Sequence, residues 1–188
     1  MRVISGAAKG RRLKAFKGHA VRPTADRVKE ALFNILARDL SGMRVLDLFA
    51  GTGNVTIEAL SRGAGEACLV EQSRKAARMI RANLQSFGFA PQARVLVMPA
   101  LRAVRSLSAG GATFDFIFVD PPYDCGWVDK ILGSVASGEL LAADGILVVE
   151  HSAREKAQEK SGGIELRDER RYGDTVLSFF GRTSASPL

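Results

Sequence analysis

Apolar positions along the chain change their spacing several times, and each change marks an element. RVISG (2–6) and RRLKAF (11–16) read as two short strands joined by the turn GAAKG. From Thr24 the period becomes helical, with Val28, Ala31, Leu32, Ile35 and Leu36 on one face. Thr24 is placed to cap that helix, and Asp26 suits its positive end. From residue 43 strands and helices alternate. MRVLDLF is a buried strand, followed by a glycine turn and a helix over about 54–62 that Gly63 stops. EACLVEQ (66–72) is the next strand. Ser73 caps a helix whose Ala76, Ile80, Leu84 and Phe87 share a face, and Gly88 ends it. ARVLVM (93–98), FDFIFV (114–119) and GILVVEH (145–151) are further strands, with helices through LRAVRSL and near 127–136 between them. IELRDERRYGDTVLSFFGR reads as two strands turning at Gly173-Asp174, an antiparallel pair at a sheet edge. The alternation, with continuous apolar strands, predicts an α/β fold whose parallel sheet is covered on both faces.

Charge adds a division that the apolar pattern does not. Residues 1–30 hold nine Lys/Arg against Asp26 and Glu30, and the remaining chain is neutral, so the whole net charge of +7 sits in the N-terminal segment. Such segregation predicts a phosphate-binding module on a neutral body rather than scattered solubilising charge. Three regions follow: a basic hairpin extension over 1–22, a main domain over 23–182 and a flexible tail over 183–188. MRVISGAAKGRR lacks the apolar core of a signal peptide, and no apolar run approaches a membrane span. Cys68 and Cys125 form no CxxC, and His19 and His151 stand alone, so a reduced, cytoplasmic protein without a metal is expected.

Three places along the chain carry candidate chemistry. In LDLFAGTGNVTIEAL, Gly51 and Gly53 allow a ligand close to the backbone, and Asp47 suits a cationic or hydroxyl-bearing group. The G-x-G-x-x-G fingerprint of nicotinamide enzymes fails at Thr56. Glu71 ends the second strand, where a carboxylate can accept hydrogen bonds from both hydroxyls of a ribose or simply face solvent. DPPY (120–123) ends an apolar strand in an acid, two stiff prolines and an aromatic ring. Asp120 there either caps a turn or acts on a ligand, with the Pro121 carbonyl left as a second acceptor.

LDLFAGTG, the acid at Glu71 and DPPY together resemble the class I methyltransferases that use S-adenosylmethionine to modify exocyclic amines. RVISGAAKGRRL, RPTADRVKEALFNIL and IEALSRGA narrow the resemblance to the RsmD-type 16S rRNA guanine-N2 methyltransferases, over almost the whole chain. The resemblance implies a Rossmann-like, mostly parallel seven-stranded sheet with an antiparallel C-terminal strand. It implies S-adenosylmethionine as cofactor, held by Asp47, Ala50, Gly51, Gly53, Glu71, Ala100 and Asp120. The substrate would be 16S rRNA in a partly or fully assembled small subunit, modified by a monomer at position 966 of that RNA. Asp120 and the Pro121 carbonyl would accept hydrogen bonds from the guanine amine and aim its lone pair at the methyl group. Tyr123 would stack on the base. Arg11, Arg12, Arg22, Thr24 and Arg27 would contact the RNA, largely at phosphates. One departure is visible: where relatives carry an acid after the third strand, this chain has Pro99-Ala100, so adenine recognition would rest on the Ala100 backbone and apolar packing. Three other readings stand beside this one: a DNA adenine-N6 or protein glutamine methyltransferase, a non-catalytic RNA-binding assembly protein, and a nicotinamide dehydrogenase, the last weakened by Thr56.

Overall fold

The first helix, α1, spans Pro23–Leu36 and opens on a proline. A proline loses nothing at a first helical position, where the N–H it lacks would go unpaired, and its fixed φ suits the helix. The helix therefore starts one residue ahead of Thr24, which is not the cap that the pattern suggests. The structure, a computed structural model, describes residues 1–15, 23–36 and 40–183; for 23–26 it describes the backbone alone. Lys17, His19 and Arg22 lie outside the described residues, as does the side chain of Thr24. The chain divides into two units, Met1–Ala100 and Leu101–Leu188.

In the first unit, α1 is followed by β1 (Arg44–Asp47), α2 (Asn54–Ser61), β2 (Glu66–Val70), α3 (Arg74–Phe87) and β3 (Ala93–Leu96). The strands lie parallel in the order β3-β2-β1. Val45, Leu46, Leu69 and Val70 are fully buried, as strands covered on both faces must be. The Ser73 side chain accepts from the Ala76 N–H and caps α3. Gly88, at φ 80, closes it with Phe89 N–H on the Leu84 carbonyl at 2.9 Å.

The N-terminal segment departs from the two expected strands. Residues 1–13 fold back on themselves with one antiparallel bridge, Arg2 to Arg12, and bonds from Val3 N–H to Arg11 O and Gly10 N–H to Val3 O. The Ile4 and Ser5 N–H groups instead donate to the Glu58 carboxylate on α2, at 2.8 and 2.9 Å. A side chain thus takes the donors that a second strand would have used.

The second unit begins with the body of α4 (Ala100–Ala109), then β4 (Phe114–Val119), α5 (Trp127–Ser137), β5 (Leu141–Ser152), β6 (Lys160–Ser161), β7 (Ile164–Tyr172) and β8 (Thr175–Arg182). Its strands run in the order β4-β5-β8-β7-β6. The β4–β5 pair is parallel, and β8 lies antiparallel between β5 and β7. Thr175–Phe180 of β8 are all buried, as a strand with neighbours on both sides requires. With β6, two residues long, the described strands number eight rather than seven. The expected turn at Gly173 is present at φ 64. Thr183 donates its N–H to the Gly163 carbonyl, which ties the first residue of the expected tail; residues 184–188 lie outside the described set.

Candidate functional site

Asp47 ends β1 with its carboxyl group almost wholly out of solvent, 2% exposed. Thr56 donates to its Oδ2 at 2.8 Å, while Oδ1 is buried with no hydrogen-bond partner. Burial raises the pKa of this carboxyl from 3.8 to about 7, and the charge of Glu71 adds to the rise. The Thr56 hydroxyl and the Phe49 backbone N–H act the other way. A buried acceptor without a donor costs free energy, and a cationic or N–H-bearing ligand would relieve it.

The glycine turn follows directly. Gly51 and Gly53 have φ of 54 and 77, in the left-handed region that favours glycine, and Gly53 N–H closes on the Ala50 carbonyl. Ala50 is buried, with its own N–H on Val70 O. Glu71, the residue after β2, receives the Gly51 N–H on Oε2 at 3.1 Å and the Ser73 N–H on Oε1 at 2.7 Å. The structure thus brings Asp47, Ala50, Gly51, Gly53 and Glu71 together around one turn. Ala100 is buried at the first position of α4, after an exposed Pro99. The donor set suits the expected cofactor: an orphaned carboxylate oxygen for a charged amino group, a second carboxylate for hydroxyls, and a turn whose backbone is open to approach.

The basic segment is fastened to this turn by groups the sequence reading passed over. Glu58 is fully buried on α2, where it accepts from Ile4 and Ser5 and pairs with Lys29 at 3.1 Å and Arg62 at 2.9 Å. Lys29 also donates to Arg2 O and Asn54 Oδ1. Its charge, counted with the basic arm, is neutralised inside. Asn83, buried on the apolar face of α3, accepts from Lys14 N–H and donates to the carbonyls of Lys14 and Thr52. Arg11 donates to Ser86 O and lies over the Phe87 ring, 4.4 Å from its centroid. Arg12, Lys14 and Arg27 are exposed. Among the expected RNA contacts, then, Arg11 already grips α3, whereas Arg12 and Arg27 face solvent. A polar residue inside an apolar stripe was the sequence signal for both Glu58 and Asn83.

In the second unit, β4 delivers a run that is buried from Phe116 to Val119 and ends at an exposed Asp120. Pro121 is buried and Pro122 exposed, so the loop is pinned on one side. Tyr123 follows half-buried, and its hydroxyl donates to Glu150 Oε1 at 2.8 Å and lies 3.5 Å from Thr175 Oγ1. Burial raises the pKa of both Tyr123 and Glu150; the charges of Glu150 and Asp120 push the Tyr123 phenol further the same way. Tyr123 therefore holds its proton and donates it to Glu150, which fixes the ring at its far end. Glu150, from the run GILVVEH, was also missed, although an acid in an apolar strand is itself a signal. Asp124 has φ 56, a left-handed turn residue, and the exposed Cys125 thiol donates to Tyr123 O. His151 is buried between Ser152 O and Ser178 Oγ and serves packing. Among the described residues no cluster suits a metal ion, and no helix is long and apolar enough to cross a membrane.

Residues 1–181 match the family model described as Conserved hypothetical protein 95. The "Putative rRNA methyltransferase YlbH" of Bacillus subtilis (strain 168) is 37% identical over 96% of this chain and 98% of its own. "Ribosomal RNA small subunit methyltransferase D" of Escherichia coli (strain K12) is 31% identical over 97% of this chain and 90% of its own. A solved structure titled "Putative methyltransferase yhhF from Escherichia coli" superposes with a TM-score of 0.84 at 30% identity, covering 98% of this chain and 99% of that one. The fold is thus the α/β, Rossmann-like one of the class I methyltransferases.

Proposed function

Because the chain belongs to the RsmD family, the one described as Conserved hypothetical protein 95, we propose that it transfers a methyl group from S-adenosylmethionine to the exocyclic N2 amine of a guanine in small-subunit ribosomal RNA. When bound, S-adenosylmethionine supplies an electrophilic methyl group on a sulfonium. Asp47, Ala50, Gly51, Gly53, Glu71 and Ala100 are the residues that would hold it. Asp47 Oδ1 would take the cofactor's ammonium, Glu71 its ribose hydroxyls, and the Ala100 backbone with neighbouring apolar groups the adenine, which has no acidic partner here.

The observation that carries the reading is the loop at Asp120. An exposed carboxylate stands at the end of a buried strand, on a proline-stiffened loop, beside a tyrosine held at its hydroxyl. An aromatic amine such as N2 of guanine is a weak nucleophile because its lone pair is delocalised into the ring. Asp120 and the Pro121 carbonyl accept its two N–H bonds and favour the pyramidal form, whose lone pair is free to attack. As N2 takes the methyl group and the sulfonium leaves as a neutral thioether, Asp120 would stabilise the positive charge developing on the amine and pass its released proton to solvent. Tyr123 stacks on the base, and the anchor at Glu150 restricts the ring to the orientation that stacking requires. Asp120 also borders the cofactor in this reading. Arg12, Arg22, Thr24 and Arg27 grip the RNA, and Arg11 joins them only by sharing its contact with Ser86.

The test is a competition among acceptors. Small ribosomal subunits lacking the modification, duplex DNA and a glutamine-containing protein are offered together with a labelled methyl donor. Label in the RNA of the subunits is the expected result. Label in DNA or protein alone would leave the cofactor assignment standing and overturn the substrate.

A further inference from the structure

Beside the docked N-terminal segment lies a cavity of about 250 Å³, lined by Arg2, Val3, Ile4, Lys9, Gly10 and Glu30. It is distinct from the Asp47 turn and uses none of its residues. Its make-up is unusual for a crevice between a hairpin and a helix. Arg2 comes from the first arm of the hairpin, Lys9 from its turn and Glu30 from α1, and all three are exposed. None of the three side chains makes a hydrogen bond or ion pair with the described residues, although nearby Lys29, Glu58 and Arg62 are fully committed to one another. The opposite charges around the cavity therefore leave one another free. Val3 is buried and Ile4 half-buried, which gives the cavity an apolar floor, and Gly10, with no side chain, leaves one wall open.

We infer that this cavity receives one nucleotide of the RNA substrate, with Arg2 and Lys9 on its phosphate and Glu30 on the N–H edge of its base. The inference rests on the RNA reading above and adds a second holding point away from the methylated base. Two cations answer a phosphate. A carboxylate would repel a bare phosphate, so its presence calls for a ligand that also carries donors. A guanine edge offers two adjacent N–H donors that match the two oxygens of Glu30, and the apolar floor suits the base plane. The volume lies just below the roughly 300 Å³ from which pockets enclose drug-sized ligands, and suits a single nucleotide.

The test titrates the full chain with guanosine 5′-monophosphate, uridine 5′-monophosphate and inorganic phosphate, and follows backbone amides by NMR. Guanosine monophosphate at millimolar concentration should shift the amides of Ile4, Lys9 and Gly10 saturably, and more strongly than either competitor. Glu30→Gln should weaken guanosine monophosphate about tenfold, the size of one lost paired base-edge contact, and leave inorganic phosphate bound no more weakly, since the substitution removes a repelling charge. Arg2→Ala with Lys9→Ala should weaken both. These side chains are exposed and unpaired, so amides elsewhere should not move. No saturable shift at these amides overturns the inference. So does tighter nucleotide binding by Glu30→Gln, which would mean that the cavity takes phosphate alone. Methyl transfer to small ribosomal subunits separates this inference from the reading it rests on. The Arg2→Ala/Lys9→Ala variant should raise KM about tenfold with kcat within twofold of wild type. An unchanged KM overturns the cavity's role and leaves the rRNA reading intact, whereas no transfer by wild type removes the RNA from both.

Discussion

At the scale of single residues, Asp47 carries a pH signature. Its pKa is raised, not lowered, on folding, from 3.8 to about 7. Between those values the folded protein keeps a proton that the unfolded chain has released, so this group's contribution is fully present below pH 3.8 and is lost as pH rises through about 7. Relative to Asp47→Asn, wild type should lose on the order of 4 kcal/mol across that window, measurable by urea denaturation at several pH values. Ligand binding has the opposite slope. If the ionised carboxylate holds the cofactor's ammonium, affinity for S-adenosylmethionine should rise up to tenfold per unit from about pH 5.5 to 7 and then level off. A flat calorimetric profile would dissociate Asp47 from the cofactor. Tyr123 separates two roles. Tyr123→Phe leaves Glu150 Oε1, on a half-buried side chain, without its donor and should cost on the order of 1 kcal/mol of stability while keeping most of the transfer rate. Tyr123→Ala removes the stacking ring and should lower kcat/KM for the RNA by roughly one to two orders of magnitude. Equal losses in the two variants would argue that the hydroxyl, not the ring face, matters.

At the scale of elements, the docking of the basic segment turns on Gly6. A Cβ there would lie 1.7 Å from the Ser61 carbonyl oxygen at the end of α2, and φ is 78. Neither α2 nor the turn has room to yield, because Ala7 and Ala8 N–H and Ser5 O are all bonded to Ser61. Gly6→Ala should therefore release the segment, lower stability by at least about 2 kcal/mol and weaken RNA binding more than cofactor binding. Melting curves and parallel titrations read the two effects. The elements also show what the sequence made legible. The limits of α3 were readable to the residue because Ser73 and Gly88 act locally. The Asp47–Glu71 turn and the Asp120 loop were readable because strand ends carry their own punctuation. The hairpin strands were not, because the Ile4 and Ser5 donors go to Glu58, more than fifty positions away. The start of β5 was hidden as well. Asp144-Gly145 look like a turn, yet the strand begins at Leu141 and absorbs them in a register shift between the pairs Phe114–Leu141 and Phe116–Ile146. Glu58, Asn83 and Glu150 share the same obscurity. Each is a polar residue on an apolar face, and its purpose lies in a partner distant in sequence.

At the scale of the molecule, charge and chemistry are allotted to different parts of the chain. The net charge of +7 is concentrated before residue 31, and the two carboxylate-bearing loops follow it on an otherwise neutral body. Lys29 is spent internally on Glu58, and Arg11 on α3, so the outward charge is carried by Arg2, Lys9, Arg12, Lys14 and Arg27 among the described residues. RNA affinity should then fall with salt, with a slope near 0.7 for each phosphate contacted on single-stranded RNA, while affinity for S-adenosylmethionine changes little. In the proposed reaction the exposed carboxylate at Asp120 would act on the RNA held by this charge, and that role is the claim on which the proposal depends. The most direct test is nucleoside analysis of small ribosomal subunits that lack the modification, after incubation with S-adenosylmethionine and either wild type or Asp120→Ala. N2-methylguanosine formed by wild type and reduced at least a hundredfold by Asp120→Ala, with cofactor affinity within a few fold, is the predicted result. A different methylated nucleoside, or undiminished N2-methylguanosine from Asp120→Ala, would contradict it.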